Sequence, residues 1–108
     1  MLRHVALFRV KPEATNEQIV AAMGALSTLP DQIDVLRKFR YGPDAGITEG
    51  TWDFAVVAVL DNADDYISYR DHPTHVAVLR DYVTPIISEA ARIQFESAGE
   101  GSPRTRGS

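Results

Sequence analysis

The stretch "TWDFAVVAVLD", Thr51 to Asp61, alternates Trp52, Phe54, Val56 and Ala58 against Ala55, Val57 and Val59. Successive side chains of a strand point to opposite faces, so both faces of this strand are apolar. A half-solvated strand shows polar residues all along one side. This one needs protein on both sides and belongs in the middle of a sheet. Its continuous apolar run, Phe54 to Leu60, is the longest in the chain. It is far shorter than the roughly 20 residues of a membrane-spanning helix.

The same double-sided pattern appears in "LRHVALFRVK", residues 2–11. His4, Ala6, Phe8 and Val10 share one face, while Val5 and Leu7 lie on the other between Arg3 and Arg9. The segment that follows changes period. Thr15 with Gln18 three residues on forms a capping box, and Ile19, Ala22, Met23 and Leu26 make one helical stripe. Leu29-Pro30 is expected to close this helix, because the residue before a proline is pushed out of helical geometry. A second strand is expected from about Asp34 to Tyr41, followed by the loop "GPDAGITEG". Beyond the third strand, Asn62 caps a short helix through Tyr69, and Pro73 breaks it. A further helical stretch, Thr74 to Val83, sets His75, Leu79, Tyr82 and Ile86 on one flank, with Pro85 ending or kinking it. "AARIQFE", Ala90 to Glu96, alternates again as a fourth strand. Residues 1–97 thus read as one domain, and 98–108, without apolar periodicity, as a disordered tail.

The order βαββααβ implies an α+β, ferredoxin-like fold: a four-stranded antiparallel sheet with helices on one face. The other face keeps Val5, Leu7, Ala55, Val57 and Val59, too apolar to stay wet. Two such faces packed together bury that patch at about 25 cal/mol per Å² of apolar surface. A homodimer joined through the sheet face, a dimeric α/β barrel, is the expected assembly.

Composition narrows the function classes. A chain of 108 residues, 44% hydrophobic, suits a single core. There is no cysteine, so disulfide scaffolds, thiolate nucleophiles and zinc-thiolate sites are excluded. The net charge of −4 disfavours nucleic acid. The basic group Arg37, Lys38 and Arg40 alternates with apolar residues, as on an exposed strand edge that repels other strands. With no basic-then-apolar leader and no membrane segment, the expected location is the cytoplasm.

Two of the three histidines sit in "YRDHPTH", Tyr69 to His75. The Pro73 break can aim Tyr69 and His75 into one space, and strand parity puts His4 on the same side. Tyr69, His75 and His4 then line a cavity walled by Phe8, Met23, Trp52, Phe54, Tyr66 and Leu79, mostly apolar with a few converging polar groups. Histidine exchanges a proton near neutral pH and a tyrosine hydroxyl can stabilise an oxyanion, a pairing suited to enolisation or aldol chemistry. The structural alternative stays open: His72 as a helix cap, His75 bonded to a backbone carbonyl, Tyr69 as a core residue. A metal site from His4, His72 and His75 is disfavoured because a capping His72 turns its ring away, so neither metal nor cofactor is expected.

"RHVALFRVKPEAT", "TWDFAVVAVLDNADDYISYRDHPTHVAVL" and "RIQFE" together resemble the stress-responsive dimeric α/β-barrel (Dabb) family over residues 2–96, the tyrosine, three residues, His-Pro-x-His pattern being the most specific part. The resemblance extends to olivetolic acid cyclase-like polyketide cyclases, which close a linear poly-β-ketone by aldol condensation without a cofactor. It implies a dimer closing two sheets into a barrel and carries a catalytic tyrosine onto Tyr69 and catalytic histidines onto His75 and His4. A third-strand histidine of those cyclases falls on Phe54, which cannot shuttle a proton. The resulting expectation is a pocket for an apolar, carbonyl-bearing or aromatic molecule, with polyketide-type cyclase activity. The alternatives are a non-enzymatic stress-associated or ligand-binding barrel, and a cofactor-free monooxygenase of the related dimeric barrels.

Overall fold

In the computed structural model, which describes residues 1–97, the two double-sided strands lie side by side at the centre of one antiparallel sheet. The elements run β1 (Leu2–Val10), α1 (Asn16–Leu26), α2 (Leu29–Gln32), β2 (Lys38–Pro43), β3 (Phe54–Leu60), α3 (Ala63–Asp71), α4 (Pro73–Val78) and β4 (Ile87–Glu96). The strand order is β2-β3-β1-β4, and all helices pack on one face. The ferredoxin-like reading holds. The tail expected at 98–108 lies outside the described residues.

Local chemistry explains the well-placed elements. At α1 both halves of the Thr15–Gln18 capping box are made, the Gln18 amide donating to Thr15 Oγ1 at 3.2 Å and the Thr15 amide to Gln18 Oε1 at 2.9 Å. Asn62 caps α3 by accepting from the Asp65 amide at 2.8 Å. On the clad side of the sheet, Phe8 stacks on Phe54 with centroids 4.6 Å apart, and Leu26, Leu29, Ile33, Leu60 and Val83 are fully enclosed.

Several boundaries differ from expectation. Leu29-Pro30 does not end the helical region but opens α2, where proline occupies the first turn and its missing N–H costs nothing. The second strand begins at Lys38, four residues late, because Leu36 donates back to the Ile33 carbonyl in a turn. After α4 the chain adds a π-helical turn, Leu79–Val83, and a 3₁₀ turn, Thr84–Ile86. The extra residue per turn rotates the flank, so Val83 is buried and Tyr82, expected inside, is 44% exposed.

The bare face of the sheet carries Val5, Leu7, Ala55 and Val57, as parity requires. Register adds Ala91, Ile93 and Phe95 of β4, paired with Leu7, Val5 and Arg3. Ile93 and Phe95 are 57% and 42% exposed. Val59 shares this face but is already buried, lying in register between Arg3 and Lys38.

Candidate active site

Between the clad face of the sheet and the α3–α4 layer lies a cavity of about 350 Å³. β1 contributes His4, Ala6 and Phe8, and β3 contributes Val56. α3 contributes Tyr66, Tyr69 and Arg70, and α4 with its π turn contributes His75 and Leu79. Leu26, Val83, Thr84, Ile87 and Arg92 complete the wall.

The aromatic groups singled out in the sequence do meet. Tyr69 and His75 have ring centroids 4.3 Å apart, His4 and Tyr69 6.2 Å, and His4 and Tyr66 4.9 Å. Pro73 makes this possible: it starts α4 in a new direction, and His72 caps that start by accepting from the Thr74 amide at Nδ1, 3.1 Å. A ring held that way is engaged at its own helix end. Among the described residues no cluster of three metal-ligating side chains forms.

Hydrogen bonds fix which nitrogen of each histidine is basic. His75 Nδ1 lies 2.8 Å from the Arg70 carbonyl, an acceptor only, so Nδ1–H donates and Nε2 keeps its lone pair. Burial lowers the pKa of His75 and that carbonyl bond opposes the shift, while His72 lowers it and Asp71 raises it more weakly. His4 has the opposite tautomer: Gln94 Nε2 donates to His4 Nδ1 at 2.8 Å, placing the proton of the neutral ring on Nε2. Burial first, then the charges of His75 and Arg92, lower His4 from 6.5 to about 4. Burial and the neighbouring Tyr66 phenol push Tyr69 well above the usual tyrosine range, so its hydroxyl keeps its proton. At neutral pH the site holds an uncharged base, His75 Nε2, beside two groups that donate, Tyr69 Oη and His4 Nε2.

Phe8, Tyr66 and Leu79 line the cavity as expected, but three expected wall residues do not. Met23 packs against the core cluster, and Phe54 stacks behind Phe8. Trp52 is turned to the other side of the sheet, with the Arg9 guanidinium 4.3 Å from its ring. Parity fails there because β3 starts only at Phe54. Asp53 is tied across to β1, donating its amide to the Phe8 carbonyl at 2.9 Å and accepting from the Val10 amide at 2.7 Å. Sequence reasoning missed Arg92 and Gln94. Register places them opposite Ala6 and His4, on the clad side, once Ala91, Ile93 and Phe95 take the bare one.

Residues 2–97 match the model of the Dabb, stress-responsive A/B barrel domain. The chain belongs to this family. An uncharacterised relative from Streptomyces coelicolor is 29% identical over 94 residues, spanning 82% of this chain and 97% of its own. A solved structure from Thermobifida fusca, a dimeric ferredoxin-like protein of unknown function, is 40% identical with a TM-score of 0.81, covering 87% of this chain and 88% of that one. A hydroxynitrile lyase from Passiflora edulis superposes with a TM-score of 0.79 over 94% of this chain and 96% of its own; at 15% identity the likeness is one of fold.

Proposed function

We propose that this family member is a homodimeric, cofactor-independent cyclase of the polyketide type, acting on an apolar molecule that carries neighbouring carbonyl groups. The observation that carries this is the His75 tautomer. Its donated bond to the Arg70 carbonyl leaves Nε2 as a buried neutral base, in a ring whose centroid lies 4.3 Å from that of the protonated Tyr69, on a cavity of about 350 Å³. In the reaction, His75 Nε2 takes the acidic proton from a carbon between two carbonyls, leaving an enolate. The enolate carbon bonds to a second carbonyl carbon of the same chain, whose oxygen becomes an alkoxide. Tyr69 Oη and His4 Nε2–H stabilise that oxygen, and the proton held by His75 returns to it, closing the balance. The fold is also that of a hydroxynitrile lyase, which supports its use for enzyme chemistry without assigning a substrate.

The dimer part of the proposal is supported by the apolar strip of the bare face and by the dimeric description of the 40%-identical structure. The chemistry is tested with purified protein and a linear tetraketide thioester: ring closure should accelerate, and Tyr69→Phe with His75→Ala should lower the rate by about 10²- to 10⁴-fold. An unchanged rate in the double variant would remove the proposal.

A further inference from the structure

The wall of the cavity contains two cations and no carboxylate. Arg70 is neutralised by its neighbour, Nε donating to Asp71 Oδ1 at 2.8 Å and Nη2 to Oδ2 at 3.0 Å. Arg92 stands differently. It projects from β4 on the clad side, opposite Ala6, lines the same cavity as Tyr69 and His75, and pairs with no carboxylate among the described residues. A largely exposed guanidinium at the rim of an apolar cavity, with no counter-charge among the described residues, is a ready partner for a planar anion, which it can hold by two parallel hydrogen bonds.

We infer that Arg92 is the specificity-determining residue of this cavity and selects ligands whose apolar or aromatic body ends in a carboxylate. The inference rests on the proposed small-molecule role of the cavity and adds the substrate class: a keto acid or aromatic acid in place of a neutral ketone. The geometry agrees with the chemistry above. Arg92 is near enough to His4 for its charge to act on that ring, so a carboxylate held there lies on the His4 side of the cavity, leaving the apolar body to extend toward Tyr69, His75 and Leu79. Linkage gives an independent signature. An anion at Arg92 offsets the cation that disfavours protonated His4, so binding should raise the pH at which His4 titrates.

The test uses two probes of nearly equal shape, 2-naphthoate and 2-acetonaphthone, measured by calorimetry at pH 7 and low salt. The wild-type protein should bind the acid at least tenfold tighter than the ketone. Arg92→Gln should erase that preference and leave the ketone affinity within twofold, and Arg92→Lys should keep part of it. Arg70→Gln should leave the preference standing. The His4 signal in a nuclear magnetic resonance titration should shift upward with naphthoate in the wild type and not in Arg92→Gln. Equal affinities for acid and ketone, or a preference that survives Arg92→Gln or disappears with Arg70→Gln, would overturn the anion anchor while leaving the cavity reading intact. If neither probe binds, the cavity reading itself fails and the inference with it.

Discussion

The two faces of the sheet differ in how they treat polar and apolar groups. The face under the helices buries Ala6, Phe8, Phe54, Val56 and Leu60 together with His4, and carries Arg92 and Gln94 at its exposed β4 edge, while the open face carries Val5, Leu7, Val57, Ile93 and Phe95. Polar groups are costly inside unless each finds a partner, and His4 and Gln94 find each other. Apolar groups are costly outside unless something covers them. One β1 strand thus serves both faces by parity alone: its even positions line the cavity and its odd positions form the open apolar strip.

The largest effect should come from placing a charge on the open face. Val5→Asp, flanked in register by Val57 and Ile93, would bury an uncompensated carboxylate in the proposed dimer interface, a penalty on the order of 3 kcal/mol or more, and sedimentation should show the dimer dissociating. An unchanged solution mass would break the contrast between the faces.

Acid probes the clad face. Unfolded, His4 titrates near 6.5, and folded near about 4, so between those values the unfolded chain binds the additional proton. The stability contributed by neutral His4 is complete above pH 6.5, declines as pH falls through this window and levels off near pH 4. The loss should be on the order of 2 kcal/mol, and denaturant titrations across the window should show it shrinking in His4→Gln.

The smallest effect should come from the edge of the cladding. Thr15→Ala removes one half of the α1 capping box and should lower stability by about 1 kcal/mol in thermal unfolding, with no change in oligomeric mass. If this variant altered assembly, the helices and the open face would not be independent.

Much of this division was legible in the residues themselves. β1 and β3 announce double-sided burial through strict alternation, and α1 and α3 announce their starts through Thr15 and Asn62, whose side chains make the expected caps. What was not legible depends on long-range ties or on irregular helix geometry. Trp52 leaves the parity of Phe54 because Asp53 is held by β1, 43 residues away in sequence from Val10. Tyr82 leaves the buried flank because of a π turn, which no sequence period encodes. Arg92 and Gln94 were readable in principle, since Ala91, Ile93 and Phe95 alternate with them, but only the register with β1 says which set faces the helices.

The helix-clad cavity holds an uncharged imidazole base with its lone pair on Nε2 of His75. Nitrogen-15 chemical shifts of the histidine rings at pH 7 report this state. His75 should show a protonated Nδ1 and an unprotonated Nε2, with the reverse pattern for His4. A doubly protonated His75 at that pH, or a proton on its Nε2, would contradict it.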